Sequence, residues 1–315
     1  MTNGSADSPP WPAMPSVEVG PTIDYLHRLA QISGKYTLDQ AYEPNWGNIP
    51  LAVTGRGFAT PTLRRDDVIF RVDYDLLDGQ VTIAANTGRA ALPLHPGSVA
   101  DFFAEFVSAA ASVGLAAPGS TIEPEIADAP RFDGDTEERP YETDVARWAA
   151  GAFASASTAL TAWQAIYRGH RPGVGIMWGG FDLSATRYCG RSITPPLGVP
   201  MFQRNGMTEQ VVAVGFVLGD DDTPPYFYGY VTPPPRGIVD ADLGAEGASY
   251  DVAAGLAKLP WDAARRTPDP HTTVVAFADA IWQVAVDLGD WDADLVIDRH
   301  DGWHASRQPM FRSEP

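Results

Sequence analysis

Apolar residues recur at helical spacing in several stretches of the chain. The first begins near Thr22 and ends at Ser33-Gly34, and a second follows Ser98, which is placed to cap a helix together with Asp101. Three more cover residues 144–167, 245–258 and 272–288. Because three or four residues separate the apolar positions, each stretch predicts an amphipathic helix.

Alternating apolar and polar residues predict strands between these helices. The clearest case is the pair 68–76 and 81–85, which the Asp78-Gly79 turn joins as a β-hairpin. Further strands are expected at residues 121–126, 174–185, 211–218, 226–232 and 295–298.

The same order of elements occurs twice along the chain: a helix, a glycine followed by a basic residue, several strands, and a helix. Gly34-Lys35 corresponds to Gly169-His170, and Gly55-Arg56 to Gly190-Arg191, at one common offset. We therefore predict an α+β protein of two tandem related modules with an approximate two-fold relation. Each module is expected to be an antiparallel sheet with helices packed on one face.

The expected boundaries follow from composition. The Pro- and Ser-rich residues 1–20 predict a disordered N-terminal segment, and residues 119–143, which are rich in acidic residues and proline, predict a linker. The first module is then 21–118, the second 144–299, and a C-terminal tail covers 300–315.

Composition and charge exclude several classes of protein. A formal net charge of −18 and a pI near 4.5 disfavour a nucleic-acid partner. No apolar run approaches the roughly 20 residues of a membrane span, and the N-terminus lacks the features of a secretory signal. The single cysteine, Cys189, excludes a disulfide framework and favours the reducing cytoplasm. Lys35 and Lys258 are the only lysines among 22 basic residues, a bias that a GC-rich genome explains.

Residues 178–191, WGGFDLSATRYCGR, are the densest candidate for chemistry. Strand alternation places Trp178 and Asp182 on one face, beside two glycines that mark a bulge or the close approach of another group. Arg187 and Arg191 follow and could hold an anionic substrate. The alternative is a buried Asp–Arg pair that ties the strand to a loop.

The strands 211–218 and 226–232 supply the other candidates. Tyr228 and Tyr230 share a strand face and could form an aromatic pocket wall, although a structural row of tyrosines has the same pattern. Ala213 and Gly215 leave space beside them for a ligand or a helix. Glu209, just before the first of these strands, is a candidate general acid or base, or else an ordinary solvent-facing carboxylate.

Metal and cofactor signals are weak. Asp133 and Asp135 have a spacing that could hold calcium, but the other residues of an EF-hand loop are missing. His300 and His304 could ligate a metal or belong to a solvated tail. No zinc helix, Walker loop, dinucleotide-binding motif or nucleophile elbow is present, so we expect neither a metal nor an organic cofactor.

Three segments of the second half resemble a bacterial family of proteins of unknown function, DUF5996. They are residues 178–191, 209–221 (EQVVAVGFVLGDD) and 225–235 (PYFYGYVTPPP), and Trp11-Pro12, residues 259–262 and Trp291-Asp292 extend the resemblance over nearly the whole chain. It implies a shared framework that contains Trp178, Asp182, Arg187, Arg191, Glu209, Phe227, Tyr228 and Tyr230. It implies no activity.

This chain departs from the family pattern at three positions. Asn45 stands where the family usually has histidine, Cys189 replaces serine and Val217 replaces tryptophan. Loss of the histidine argues against an acid–base role in the first module.

Two functional hypotheses remain. The first is a cytoplasmic enzyme that acts on a small anionic or aromatic metabolite by acid–base chemistry of the hydrolase, lyase or isomerase type. In it Glu209 or Asp182 would move a proton, Arg187 and Arg191 would bind an anion, and Trp178, Tyr228 and Tyr230 would line the pocket. The second is a non-catalytic binding or scaffold protein in which the same residues form a structural network. The sequence leaves the substrate and the oligomeric state open.

Overall fold

Two six-stranded antiparallel sheets, one from each half of the chain, form the frame of the molecule. The structure is a computed structural model, and it describes residues 11–195, 197–199, 204 and 206–297. The N-terminal sheet has the order β1-β2-β4-β5-β6, with β3 paired to β4, and the C-terminal sheet has the order β11-β12-β10-β9-β8-β7. The predicted α+β architecture of two modules is confirmed.

The strands of the N-terminal sheet are β1 Ala52–Thr54, β2 Gly57–Ala59, β3 Leu63–Arg65, β4 Val68–Asp75, β5 Gln80–Ala85 and β6 Gly88–Pro93. Those of the C-terminal sheet are β7 Gly175–Met177, β8 Asp182–Ser192, β9 Glu209–Val217, β10 Tyr226–Thr232, β11 Ser249–Asp251 and β12 Leu256–Pro260. The helices are α1 Gly20–Gly34, α2 Val99–Ser112, α3 Thr143–Ala165, α4 Trp261–Arg265 and α5 Pro270–Gly289.

Local sequence signals account for the best-predicted elements. β4 and β5 pair antiparallel from Phe70 opposite Ala85 to Asp75 opposite Gln80, which is the predicted hairpin. Ser98 Oγ accepts a hydrogen bond from the Asp101 amide and caps α2 as expected.

The long helix α3 joins the two modules because it packs against strands of both sheets, and α5 packs beside it on the C-terminal sheet. α5 is long and apolar enough to cross a membrane, with a mean hydropathy of 1.2. Its apolar face, which includes Val274, Phe277 and Ile281, is buried against the protein, as in the core helix of a globular domain.

The two sheets meet edge to edge beside α3. Leu51, next to β1, and Ile176, in β7, exchange two backbone hydrogen bonds of 2.8 Å. This bridge brings the segment before β1 over the open face of the C-terminal sheet.

The acidic stretch 119–143 is packed into the structure. Arg28 of α1 contacts Glu123 and Asp135 at 3.1 and 3.4 Å, and Arg139 contacts Asp135 and Asp24 at 2.9 and 3.0 Å. Glu123, Asp135 and Arg139 are buried, so the acidic residues form an ion-pair network with α1. The expected strand at 121–126 is absent: the described residues there lie in turns and irregular structure.

Two other expected elements differ. Residues 174–185 form the β7–β8 hairpin rather than one strand, because the chain reverses at 178–181, where Phe181 has a φ of 55°. Residues 245–258 contain the β11–β12 hairpin instead of a helix. The Asp251 carboxylate accepts hydrogen bonds from the amides of Ala253 and Ala254, and Gly255 takes a φ of 68°, so turn chemistry overrides the helical preference of the alanines.

The chain ends of the described part also differ from expectation. At 295–298 the described residues form a short 3₁₀ turn and a bridge from Val296 to Tyr167 rather than a strand. Trp11, within the segment expected to be disordered, is buried and stacks on Trp261 with ring centroids 4.8 Å apart.

Candidate functional site

A cavity of about 560 Å³ lies on the face of the C-terminal sheet that is turned away from α3. Alternate residues of β8 and β10 form its floor, namely Asp182, Ser184, Thr186, Tyr188, Tyr228 and Tyr230. The walls come from the segment between α1 and β1, from residues 120–125, and from the turn at 178–179. Both modules and the stretch between them therefore build one site.

The turn between β7 and β8 places Trp178 in the cavity wall. The ring packs against Gly34, where an added Cβ would lie only 2.4 Å from Trp178 Cγ. Its Nε1 donates a hydrogen bond of 3.1 Å to Thr37 Oγ1. On the other side of the turn, a ring nitrogen of His27 lies 2.6 Å from the Gly179 carbonyl oxygen. The first module thus fixes the position of Trp178.

Asp182 and Tyr228 form a hydrogen-bonded pair on the cavity floor. The Tyr228 hydroxyl donates to Asp182 Oδ2 at 2.5 Å. The ring of Tyr228 crosses Gly215 of β9, where a Cβ would lie 2.2 Å from Tyr228 Cζ. The small residue expected to leave space on this face therefore makes room for the tyrosine.

Burial controls the protonation of this pair. Desolvation raises the pKa of Asp182, although the hydrogen bond from Tyr228 opposes the shift. Desolvation and the nearby Asp182 carboxylate also raise the pKa of Tyr228 well above its usual value. Tyr228 consequently remains a hydrogen-bond donor at neutral pH, and Asp182 exchanges its proton at a higher pH than an ordinary aspartate.

A second carboxylate, Glu125, lies beside Asp182 in the cavity wall. A Cβ on Gly180 would meet Asp182 Oδ1 at 3.0 Å and Glu125 Oε2 at 3.6 Å, and a Cβ on Gly179 would meet Glu125 Oε1 at 2.2 Å. The absence of side chains at Gly179 and Gly180 therefore leaves the space that the Glu125 carboxylate occupies. Desolvation and the Asp182 charge raise the pKa of Glu125.

Lys35 faces these carboxylates from the end of α1. Its Nζ lies 4.4 Å from the centroid of the Trp178 ring, and only 3% of the residue is exposed. Among the described residues that line the cavity it is the single basic side chain. Desolvation lowers the pKa of Lys35 to about 8, against the opposing effect of Glu123 and Glu125.

A polar cluster surrounds Asn45, which lines the cavity. Asn45 Nδ2 lies 3.2 Å from His170 Nδ1 and 3.4 Å from Glu209 Oε1, and Thr208 Oγ1 donates to Asn45 Oδ1 at 3.0 Å. Asn45 lines the cavity, whereas Glu209 lies behind it. Asn45 also adopts a left-handed backbone with a φ of 57°, which asparagine tolerates better than most residues.

A family model described as a family of unknown function, DUF5996, matches residues 11–297. The chain belongs to the DUF5996 family. Neither the curated proteins nor the solved structures contain a match. The family assignment covers every described residue of the cavity and assigns none of them a role.

In this DUF5996 protein Arg187 lies away from the cavity, which corrects its expected placement. It is fully buried on the opposite face of β8, and its Nη2 donates to the Trp163 carbonyl oxygen. Its guanidinium carbon lies 3.9 Å from the Trp163 ring centroid and 5.2 Å from that of Trp282. Strand alternation explains the correction, because residues 182 and 187 point to opposite faces.

Arg191 also lies outside the cavity, contrary to the expected anion-binding role. Its Nη2 donates to the Asp290 carbonyl oxygen at 2.5 Å and its Nη1 to that of Gly289 at 3.5 Å. Gly289 is the last residue of α5 and Asp290 is its C-cap, so both carbonyls lie at the helix C-terminus, where a positive charge is favourable. Arg191 thus caps a helix.

The weak metal candidates divide between two regions. The Asp135 carboxylate is occupied by Arg28 and Arg139, and Asp133 lies 3.7 Å from Arg131. Within the described part of the chain no group of three or more His, Cys, Asp or Glu side chains is placed to hold a metal ion. His300 and His304 lie outside the described residues.

Of the predicted site residues, the structure brings Trp178, Asp182, Tyr228 and Tyr230 together in one cavity. Lys35 and Glu125 were not among the predicted site residues, and Asn45 was noted only as a departure from the family pattern. Lys35 carried a usable signal, since it is one of only two lysines in an arginine-rich chain. Glu125 carried none, because nothing in the acidic stretch distinguishes it from its neighbours.

Proposed function

We propose that this protein is an enzyme that transfers a proton to or from a small, largely aromatic metabolite. The observation that carries the proposal is the Asp182–Tyr228 pair, held at 2.5 Å on the floor of a cavity with aromatic walls. A carboxyl group with a raised pKa beside a fixed phenol donor is suited to general acid–base catalysis.

The lining favours an aromatic substrate over a strongly anionic one. Trp178, Tyr228 and Tyr230 offer ring faces, whereas Arg187 and Arg191 make their contacts elsewhere. Lys35 is left to interact with one polar group of the substrate. A hydrolase, lyase or isomerase reaction is compatible with these residues. Cys189, a free and half-buried thiol, supports a location in the cytoplasm.

A generic proton-transfer substrate tests the proposal without knowledge of the natural one. A nitrobenzisoxazole is a flat aromatic molecule whose ring opens to a coloured phenolate when a base removes its acidic C–H proton. The wild type should open it with saturable kinetics, and the rate should rise with pH as Asp182 ionises, at a pH above the ordinary aspartate range. Asp182→Asn should lower kcat/KM by at least about tenfold.

Asp67→Asn is the matched control because the Asp67 side chain is fully exposed on the first module. Its rate should equal that of the wild type. Equal rates for Asp182→Asn and the wild type would reject the proposal.

A non-catalytic binding protein is the competing function, and it has one observation in its favour. The Tyr228 hydroxyl and the Asp182 carboxylate satisfy each other, as they would in a purely structural pair. A binding protein would bind the same compound, as measured by quenching of tryptophan fluorescence, without opening its ring.

A further inference from the structure

Lys35 is a buried amine that faces the cavity without an ion-pair partner in the described structure. Among the residues described, no carboxylate oxygen lies within 4.0 Å of its ammonium group. Glu123, the buried acid with the largest electrostatic effect on Lys35, directs Oε2 to Arg28 at 3.1 Å. A structural lysine at this depth would normally be paired, because an unpaired buried charge is costly.

The surroundings of the amine are apolar on one side and acidic on the other. Trp178 lies beneath Nζ at 4.4 Å, and the Phe132 ring centroid lies 5.8 Å away. Glu125, which also lines the cavity, interacts electrostatically with both Lys35 and Asp182. Desolvation in an apolar site favours the neutral form of an amine and so activates lysine as a nucleophile, and here it outweighs the opposing effect of Glu123 and Glu125.

We propose that Lys35 forms an imine with the carbonyl carbon of a small aromatic aldehyde or ketone bound in the cavity. The inference deepens the proposed function and rests on it, since both use the same cavity. It makes Lys35 a catalytic residue and names the substrate class that the proton-transfer pair serves.

Imine formation needs an amine and a proton donor, and the cavity supplies both. The neutral amine of Lys35 attacks the carbonyl carbon, a C–N bond forms, and the oxygen takes up the proton that the nitrogen loses. The carboxyl group of Glu125 then protonates the resulting hydroxyl, the C–O bond breaks, and water leaves. The imine nitrogen carries the positive charge and draws electrons from the neighbouring carbon. In substrates whose neighbouring carbon bears hydrogen, the Asp182 carboxylate takes a proton from that carbon.

Because the chain has only two lysines, labelling of Lys35 can be compared with labelling of Lys258 in one sample. The full-length protein is incubated at pH 7 with benzaldehyde and cyanoborohydride, which reduces an imine to a stable benzyl-lysine. Peptide mass spectrometry then measures the rate of labelling at Lys35 and at Lys258. Lys258 is the internal control, because its ammonium is held by Asp251 at 2.8 Å and its pKa is raised.

Lys35 should be labelled at least about tenfold faster than Lys258, since a lower pKa leaves more of the amine neutral. Lys35→Arg should remove the fast label, and Lys258→Arg should keep it. Equal labelling of the two lysines in the wild type would overturn the proposal, and this comparison needs no variant.

The outcome is separable from that of the proposed function. Fast labelling of Lys35 together with nitrobenzisoxazole turnover that is insensitive to Asp182→Asn would retain the imine and reject the proton-transfer pair. Slow labelling with turnover that depends on Asp182 would reject the imine and retain the pair.

Discussion

Replacing Arg187 with alanine should destabilise the protein by roughly 3–5 kcal/mol, a size typical of emptying a large buried site. The guanidinium is enclosed by the rings of Trp163, Tyr167 and Trp282. It also donates to the carbonyl of Trp163, which lies in the last turn of α3, where carbonyls lack helical partners. Alanine would leave a void and an unsatisfied buried carbonyl. Urea unfolding monitored by circular dichroism measures the loss.

Arg187→Met is the matched control for this prediction. Arg187 Nε and Nη1 have no hydrogen-bond partner among the described residues, so part of the buried charge is uncompensated. Methionine keeps the apolar bulk and removes that charge, and it should therefore recover most of the stability. An alanine variant as stable as the wild type would contradict the structural role and reopen the anion-binding hypothesis.

Replacing Lys35 with methionine should stabilise the protein at neutral pH. The unfolded chain holds the lysine proton more tightly than the folded protein does, because folding lowers the pKa of Lys35 from 10.5 to about 8. At pH 7 this pKa difference opposes folding by on the order of 3 kcal/mol. The contact of the ammonium group with the Trp178 ring offsets about 1 kcal/mol of that destabilisation. We expect a net gain of about 2 kcal/mol in the free energy of unfolding.

The effect of Lys35→Met on the free energy of unfolding should depend on pH. Wild-type stability should rise as pH increases from about 8 to 10.5, where the unfolded state binds the extra proton. The advantage of Lys35→Met should therefore be complete below pH 8 and fade above it. Lys258→Met should show no gain at neutral pH, because Lys258 is paired with Asp251. A loss of stability in Lys35→Met at pH 7 would show that the lysine is a structural residue.

The sequence was sufficient for elements with a strong local pattern. The hairpin of β4 and β5 and the cap at Ser98 depend on turn and cap chemistry within a few residues. The prediction of a helix at 245–258 was wrong, and the cause is again local. Hydrogen bonds to the Asp251 carboxylate stabilise a turn there more than the alanines favour a helix.

Half of the candidate site could also be predicted. The alternation in β8 and β10 placed Asp182, Tyr228 and Tyr230 on shared faces, and the same alternation, applied to Arg187, already puts it on the other side of β8. The positions of Lys35 and Glu125 in the cavity could be seen only in the tertiary structure. Lys35 reaches the cavity only because the sheets join at Leu51 and Ile176, and Glu125 only because the acidic stretch folds back on α1.

The titration of Asp182 tests the proposed proton-transfer pair without any substrate. Carboxyl carbon NMR of the ¹³C-aspartate-labelled protein, assigned with Asp182→Asn, follows its titration, and Asp251, whose pKa is lowered by Lys258, is the reference. Asp182 should titrate above the ordinary aspartate range, and Tyr228→Phe should raise its pKa further by removing the donor that favours the ionised form. An Asp182 pKa that lies in the ordinary aspartate range and does not change in Tyr228→Phe would contradict the proposed proton-transfer pair.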